Sequence, residues 1–440
     1  MKNEILTKKI LSAVLAGSLC AAAIPSFAAC SKTPTLRIAS WEEYIDEGDE
    51  ENNAMVDDFE QWYEEQTGNK IKVEYIPLED NEKMYNQITI GEKYDLLCPS
   101  EYMIMKLQAE DKLEKFPVSF FDTSVETNYY AKNVSPYIDK TFSEGKLTNG
   151  ESWKDYAAGY MWGTTGFVVK PEFKDEAQSW NIVKNHGANA TAKNNVRDSY
   201  FMGLGMYYEN EINSGKLTKD DFTAAITDKM NDTSVDTMNA VKTILTGVKS
   251  SGVRFETDEA KEDVIAGELD VSYQWSGDAV YILDTAEEEK NLSLNYVIPS
   301  LASNLWFDGW VMMKGANVDA ATAFVNFVSK PENAVRNCDY IGYTPCVGGD
   351  AVFDYFKEKY CAADGAAEGT ADYDLSYFFS SDGLHNEKYV LTVPETQLHR
   401  QLFAQFPDET TIGRLVVMRY FDAATNDRAN SLWSEVSAAK

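Results

Sequence analysis

Three short clusters in this chain place a large aromatic side chain within a few residues of a carboxylate: Trp41-Glu42-Glu43-Tyr44, Trp275-Ser276-Gly277-Asp278 and Trp306-Phe307-Asp308. A carboxylate neutralises an ammonium group, and an aromatic face holds both the cation and its methylene spacer. A site that combined several such pairs would bind a small, elongated cation. Any single cluster is more simply explained as an aromatic residue packed beside a surface acid, so the prediction depends on the clusters meeting in the fold.

Strand-like segments precede these clusters. The segments 36–40, 94–97 and 271–274 have the apolar patterns of strands, and apolar residues spaced as in a helix follow the first of them and end at Gly68. The residues that come just after these strands are Trp41, Ser100, Tyr102 and Trp275. Because open α/β sheets bind ligands at the carboxyl ends of their strands, this alternation predicts an α/β fold with these residues at a binding edge.

The chain offers few groups of the kind that enzymes use. Its three histidines lie far apart, and it has neither a phosphate-binding glycine loop nor a nucleophile elbow. The acids considered for glycoside hydrolysis are Asp155, Glu268 and Asp278, although nothing in their context singles them out. No C-x-x-C spacing indicates zinc, and a disulfide between Cys338 and Cys346 stays open. We predict no catalytic residue, metal or cofactor, and keep a secreted hydrolase as the alternative from another class.

The N-terminus has the pattern of a targeting segment. A basic start precedes the apolar run Ile10–Ala23, which is short for a transmembrane helix of about 20 residues. Cys30 follows two alanines, which resembles a bacterial lipoprotein cleavage box with lipid on the cysteine. Phe27 fits such a box poorly, so ordinary cleavage after Ala29 is the alternative. We predict a signal peptide over residues 1–29 and an exported protein, periplasmic or at the cell surface, whose membrane contact is a lipid anchor on Cys30.

Charge excludes several kinds of partner. The formal net charge is −31, and removing the N-terminal segment, whose three lysines and one glutamate sum to +2, leaves −33. Nucleic acids and anionic membrane surfaces require a basic face, so neither is an expected partner. The remaining chain of about 410 residues is too long for one core and predicts two lobes.

Seven motifs together resemble the spermidine/putrescine-binding proteins of bacterial ABC transporters, and the similarity extends from about Leu36 to Trp433. The motifs are SWEEYI at Ser40–Ile45, NEKMYNQI at Asn81–Ile88, YDLLCPSEY at Tyr94–Tyr102, YMWGTTG at Tyr160–Gly166, WSGDA at Trp275–Ala279, WFDGWVM at Trp306–Met312 and IGYTP at Ile341–Pro345. Their order and spacing are what make the resemblance specific.

The resemblance implies a set of ligand-contacting residues. These are Trp41, Glu43, Tyr44, Ser100, Tyr102, Asp198, Trp275, Asp278, Trp306, Asp308 and Tyr343. Within this set, Asp308 would grip one ammonium group and Asp198 would receive an amine. Trp275 would stack on the alkyl chain, and Tyr343 would close the far end.

Some positions depart from the family pattern. Asn195 stands where spermidine receptors tend to have an Asp, and Met418 lies about where they have a Gln. Glu43 and Asp278 both stand where putrescine-type receptors carry an Asp. Together with these two acids, the departures favour a diamine such as putrescine over spermidine.

The resemblance also implies the fold and the partners. We expect a two-lobe periplasmic-binding-protein fold of type II, each lobe a mixed sheet flanked by helices, with the ligand cleft between the lobes. Lobe 1 would comprise residues 35–162 and 303–345, and lobe 2 residues 163–302 and 346–440. The expected function is capture of a polyamine by lobe closure, as a monomer that delivers it to the permease of an ABC transporter. Another small solute such as a sugar is the alternative among binding proteins.

Overall fold

A long mixed β-sheet runs through the molecule. The computed structural model describes residues 33–363, 365–366 and 368–439, so the predicted signal peptide and Cys30 lie outside the described residues. The strands are β1 (Thr35–Trp41), β2 (Lys72–Leu78), β3 (Leu96–Leu97), β4 (Leu113–Glu114), β5 (Ala157–Val169), β6 (Ala190–Ala192), β7 (Arg254–Phe255), β8 (Val271–Trp275), β9 (Asn295–Val297), β10 (Ser303–Met313), β11 (Thr344–Pro345), β12 (Thr370–Asp374), β13 (Val390–Pro394) and β14 (Leu415–Val416).

Helices cover the sheet and fill the connections. They are α1 (Met55–Thr67), α2 (Asn81–Thr89), α3 (Glu101–Ala109), α4 (Tyr129–Asn133), α5 (Pro136–Glu144), α6 (Ile182–His186), α7 (Val196–Asn213), α8 (Lys219–Ala224), α9 (Ile226–Lys229), α10 (Val235–Ser250), α11 (Glu259–Ile265), α12 (Ser276–Lys290), α13 (Val318–Val328), α14 (Pro331–Ile341), α15 (Asp350–Tyr360), α16 (Ser376–Phe379), α17 (Gln401–Gln405), α18 (Glu409–Ile412) and α19 (Ala423–Ala438). The predicted end of α1 at Gly68 is confirmed, because this glycine has φ +71° in the left-handed region that closes helices.

The sheet has a parallel part at each end and an antiparallel centre. Its strand order is β2-β1-β3-β10-β5-β8-β6-β7. Strand β1 pairs in parallel with β2 and β3, and β6 pairs in parallel with β7 and β8. The central strands β5 and β10 run antiparallel to each other. The binding edge predicted for β1, β3 and β8 therefore faces the centre of the molecule from both ends of the sheet.

Strands β5 and β10 belong to both halves of the sheet. From Ala157 to Thr164, β5 pairs with β10, and from Thr165 to Val169 it pairs with β8. Strand β5 thus joins the halves, since its partner changes from β10 to β8 between residues 164 and 165, and β10 reaches this junction at Leu305, opposite Thr164. Such a junction allows one half to rotate against the other about a short stretch of backbone.

Apolar side chains form one large cluster under the β1 half and two clusters under the β8 half. The C-terminal part of the chain contributes to both halves: Phe356 and Phe378 pack in the first cluster, whereas Leu432 and Val436 pack in the second. Phe378 stacks on Trp162 with ring centroids 5.5 Å apart. The division into lobes stays a prediction, but this packing favours assigning the chain from 346 to about 400 to lobe 1, not to lobe 2.

The segment between residues 362 and 405, which the sequence pattern does not place, contains the antiparallel pair β12–β13. Tyr373, Leu391 and Val393 point from this pair into the first cluster.

Elsewhere, Cys338 and Cys346 are free thiols and do not form the disulfide that the sequence left open. Across the described residues, no helix has the length and apolar character needed to span a membrane.

Candidate ligand-binding site

Asp308 lies in the middle of β10, where the pairing with β5 shifts by one residue between Asp308 and Gly309. Such a bulge re-aims the side chain of the strand. The Oδ2 atom of Asp308 accepts hydrogen bonds from Trp41 Nε1 at 2.9 Å and from the Tyr44 hydroxyl at 2.8 Å. Ser100 lies opposite Asp308 in an isolated antiparallel bridge. The first and third aromatic–acid clusters therefore meet, together with the residue that follows β3.

The second oxygen of Asp308 has no hydrogen-bond partner among the described residues, although the side chain is buried. Burial raises the pKa of Asp308 to about 6, against the opposing effect of the neighbouring polar groups of Ser100, Tyr44 and Trp41. A buried carboxylate with an unpaired oxygen is unfavourable on its own. Oδ1 is therefore suited to accept a hydrogen bond from a cationic donor brought by a ligand.

A chain of aromatic rings surrounds this carboxylate. Tyr343 contacts Tyr44 edge-on with centroids 5.3 Å apart and lies 5.6 Å from the ring of Trp306. The Trp306 indole donates to the Thr164 carbonyl at 3.1 Å, which fixes its orientation. A Cβ at Gly163 would lie 2.5 Å from the Trp306 ring, so only glycine fits there. The rings provide π faces of the kind that hold organic cations.

Asp278 stands at the start of α12, in the other half of the sheet. Its Oδ1 accepts from the Tyr343 hydroxyl at 2.9 Å and lies 3.1 Å from Lys261 Nζ, while its Oδ2 lies 2.9 Å from Lys193 Nζ. Burial alone would raise the pKa of Asp278, but the two lysines hold it at about 2. Unlike Asp308, this carboxylate is already neutralised by the protein itself.

Trp275 and Asp198 lie beside Asp278. The Lys193 ammonium group sits 3.8 Å from the centroid of the Trp275 ring, a cation–π distance. Asp198 accepts from Asn195 Nδ2 at 2.6 Å, and its backbone N–H donates to the Asn195 side chain, which caps α7. Burial raises the pKa of Asp198. Asn195, noted as a departure from the family pattern, thus orients the acid expected to receive an amine.

Tyr102 contacts a cation of the protein. The Arg197 guanidinium lies 4.2 Å from the Tyr102 ring and 3.7 Å from the Phe421 ring, so it is held between two aromatic faces. The Tyr102 hydroxyl points to Glu82 at 3.4 Å. Met418, at the other departure from the family pattern, is buried in the second cluster.

Glu43 is the predicted residue that the structure does not bring to the site. It has φ +50°, and its side chain is exposed. The chain turns sharply after β1, so that Tyr44 faces inward and Glu43 faces outward. Contact of Glu43 with the ligand stays a prediction, and this outward placement does not favour it.

Sequence reasoning missed three buried or partly buried charged residues of this region: Glu101, Lys193 and Lys261. Glu101 accepts from the Phe307 backbone N–H at 3.1 Å, and burial raises its pKa to about 8. Lys193 directly follows β6 and obeys the same strand-end rule that selected Trp41 and Trp275. The strand-end rule could have selected Lys193, but the three-residue strand β6 is too short to be recognised in the sequence. Lys261 carried no sequence signal.

Comparison with known proteins identifies the family. The model of the bacterial extracellular solute-binding protein family matches residues 54–349, more than half of the chain. The chain belongs to this family. Its members bind solutes, so capture of a solute rather than catalysis is indicated.

Individual relatives agree with this assignment. The putrescine-binding periplasmic protein PotF of Escherichia coli (strain K12) is 26% identical, over 77% of this chain and 84% of its own length. The solved structure of a putative spermidine/putrescine ABC transporter from Listeria monocytogenes has a TM-score of 0.62 and 23% identity, and covers 93% of this chain and 100% of its own. The spermidine/putrescine ABC transporter substrate-binding protein PotD of Streptococcus pneumoniae gives a TM-score of 0.58 and 24% identity, over 92% of this chain and 99% of its own. The predicted α/β periplasmic-binding-protein fold with two lobes is confirmed.

Proposed function

We propose that the protein captures a polyamine of the putrescine or spermidine class by lobe closure and delivers it to the permease of an ABC transporter. The observation that carries this proposal is the buried Asp308, whose Oδ1 has no partner among the described residues and whose surroundings are aromatic. Relatives named for putrescine and spermidine binding support the same class of ligand.

An ammonium group would supply the hydrogen-bond donor and the positive charge that Asp308 Oδ1 lacks. It carries a full positive charge and three N–H donors, whereas a sugar hydroxyl offers one neutral donor. A charge-assisted hydrogen bond contributes about 1.5–3 kcal/mol and a well-placed aromatic face about 0.5–2 kcal/mol. An amine is therefore favoured over a sugar at this position, because only the amine also neutralises the buried charge.

Closure of the two halves over a ligand is inferred because residues of both halves line the site. Trp41, Tyr44 and Asp308 belong to the β1 half of the sheet, whereas Trp275 and Asp278 belong to the β8 half. The hydrogen bond from Tyr343 to Asp278 links the two sides. We propose that the halves open about the junction in β5 and β10, and that the closed form buries the ligand and is recognised by the permease.

The remaining features are proposals from the sequence. Removal of residues 1–29 and lipidation of Cys30 would hold a monomeric protein at the outer face of the membrane, in keeping with a family described as extracellular. Mass spectrometry of the membrane-bound protein tests the anchor: a diacylglycerol mass on Cys30 is expected, and a free N-terminus at Cys30 without lipid would contradict it.

Calorimetric titration of the soluble chain from Ser31 onward tests the function. The ligands are putrescine, N-acetylputrescine, spermidine, spermine and agmatine, with maltose as the neutral control. We expect at least one amine to bind with submicromolar affinity that weakens as salt is raised, and maltose to give no heat. A folded protein that binds none of the amines would overturn the polyamine proposal, and binding of maltose alone would favour a sugar receptor.

Amine affinity is expected to fall about tenfold between pH 7 and pH 5. The pKa of Asp308 lies at about 6, and only its ionised form attracts an ammonium group. The amine itself stays protonated, since alkylammonium groups have a pKa near 10. The pKa of the nearby Glu101 is about 8, so that carboxyl is already protonated throughout this range. Titrations at pH 7, 6 and 5 measure the effect, and an affinity that is constant across them would contradict the assignment of Asp308 as the amine's partner.

A further inference from the structure

Lys193 occupies the place where the aromatic–acid pair of Trp275 and Asp278 would hold a cation. Its side chain is completely buried, its Nζ lies 2.9 Å from Asp278 Oδ2, and the same atom lies 3.8 Å from the centroid of the Trp275 ring. These are the two contacts that a ligand ammonium group would make with an aromatic–acid pair. A side chain of the protein therefore already provides the cation on this side of the site.

The two carboxylates of the site differ in what they still offer. Both oxygens of Asp278 have partners, since Oδ1 is shared by Tyr343 and Lys261 and Oδ2 is bound by Lys193. Asp308 has donors on Oδ2 and none on Oδ1 among the described residues. Of these two carboxylates, Asp308 therefore offers an anionic position to a ligand ammonium group, whereas the position at Asp278 is already filled.

We propose that Lys193 supplies the second cation of the site, so that the ligand brings a single ammonium group to Asp308 and an uncharged polar group to the end near Asp278. This inference rests on the proposed function and narrows it. Within the polyamine class, the expected ligands are amines in which one terminal nitrogen is acylated and therefore uncharged, such as a mono-acylated diamine. Free diamines are disfavoured.

Several contacts oppose displacement of Lys193 by a free diamine. The Ser199 hydroxyl donates to the Lys193 carbonyl at 2.6 Å, which fixes the backbone at the end of β6. Moving the side chain out would break its ion pair with Asp278 and uncover the Trp275 face. If Lys193 stayed, a second ligand ammonium group would lie beside two lysines that already neutralise Asp278. Two like charges about 4 Å apart repel strongly enough in a protein to lower affinity by more than about tenfold.

The uncharged end of the ligand has suitable neighbours. The ammonium groups of Lys193 and Lys261 and the hydroxyl of Tyr343 are donors that converge on Asp278. The single O–H of Tyr343 is used by Asp278, but each lysine ammonium group has three N–H donors. An acyl carbonyl oxygen can accept from an N–H that is not directed at Asp278 without adding positive charge. Burial of an amide at this end is therefore compatible with the charges that the protein has placed there.

Titration of wild-type protein and Lys193→Met with putrescine and N-acetylputrescine tests the inference. Methionine retains much of the length of lysine but carries no charge. We expect wild type to bind N-acetylputrescine at least about tenfold more tightly than putrescine, and Lys193→Met to reverse this order, since the Trp275–Asp278 pair is then open to a ligand ammonium group. Lys170→Met is the matched control: it removes a partly buried lysine from an ion pair with Asp270, which directly precedes β8, and leaves Lys193 in place, so the wild-type preference is expected to persist.

The wild-type measurement separates this inference from the proposed function. Wild type that binds putrescine as tightly as N-acetylputrescine, or more tightly, would overturn it while leaving the proposed polyamine function intact. A folded wild-type protein that binds neither these amines nor the others of the panel would instead contradict the proposed function. A change of preference in Lys170→Met as large as that in Lys193→Met would also overturn the specific role of Lys193.

Discussion

Asp308→Asn is expected to abolish amine binding and, at the same time, to stabilise the unliganded protein. The amide that replaces the carboxylate has no charge for an ammonium group, so we expect the dissociation constant to rise by about 100- to 10,000-fold, the range for loss of one partner of a buried charge pair. The amide oxygen can still accept from Trp41 Nε1 and the Tyr44 hydroxyl. The site should therefore keep its shape while losing its function.

The gain in stability follows from the pKa of Asp308. This pKa is about 6 in the folded protein, against a usual value of 3.8, so the folded state binds the proton more tightly than the unfolded state does. The free energy of unfolding consequently falls as pH rises from about 4 to about 6, and above pH 6 the whole penalty of about 3 kcal/mol is present. Asparagine removes this penalty and replaces it with the smaller one of an unpaired amide. Urea unfolding should show Asp308→Asn to be more stable than wild type by about 1–3 kcal/mol at pH 7, with the difference shrinking towards pH 4.

Asp278→Asn is the matched control, because the same change is made at the carboxylate on the opposite side of the site. Lys193 and Lys261 hold the pKa of Asp278 at about 2, so its negative charge stabilises the fold at neutral pH. Removing it leaves the buried Lys193 without its counter-ion, which is expected to lower the free energy of unfolding by about 3–5 kcal/mol. Equal destabilisation by both variants, or retained amine binding in Asp308→Asn, would show that Asp308 is a structural residue.

The strand-end rule predicted that Trp41 and Ser100 lie at one binding edge, whereas the place of Asp308 in the site was implied by the family resemblance. Trp41 ends β1 and Ser100 follows β3, and in this sheet β10 lies next to β3. The position of a residue at the end of a regular strand is set by the topology of the sheet. That part of the site was therefore accessible to pattern reasoning.

The position of Lys193 was not accessible in the same way. Its ammonium group reaches a carboxylate 85 residues further along the chain through four flexible methylene groups, and no periodic pattern encodes the direction of such a side chain. Glu43 shows the same limit on a smaller scale. One residue with φ +50° decides which of two neighbouring side chains enters the site, and turns of this kind in a non-glycine residue leave little trace in the sequence.

The packing partner of the C-terminal segment could not be predicted from the sequence for a different reason. The apolar residues of 346–400 indicate burial, but a pattern of burial does not name the partner surface. Tyr373 and Phe378 pack against the first cluster because the pair β12–β13 and α16 fold back along the chain, whereas α19 continues to the second cluster. Fold class was thus predictable from local periodicity, and the path of a long C-terminal extension was not.

Gly277→Ala is expected to prevent full closure without disturbing the fold of either half. A Cβ at this position would lie 2.3 Å from Cδ2 of Tyr343, closer than any real contact. Gly277 lies in the first turn of α12 and has no positive φ, so alanine suits the helix itself. The clash must therefore be relieved by moving Tyr343, which breaks its hydrogen bond to Asp278 and its contacts with Tyr44 and Trp306.

The expected result is a 10- to 100-fold, or roughly 1–3 kcal/mol, loss of amine affinity, the usual cost of overpacking, with the circular dichroism spectrum unchanged. Small-angle scattering with saturating amine should show wild type contracting and Gly277→Ala remaining extended. Gly247→Ala in α10 is the control, because a Cβ there meets nothing closer than the Lys184 ammonium group at 3.6 Å. It should bind as wild type does and be slightly more stable, since alanine is the better helix former. Wild-type affinity and contraction in Gly277→Ala would mean that the Tyr343–Asp278 contact is not part of the closed, ligand-bound form, and that closure depends on the hinge strands β5 and β10 alone.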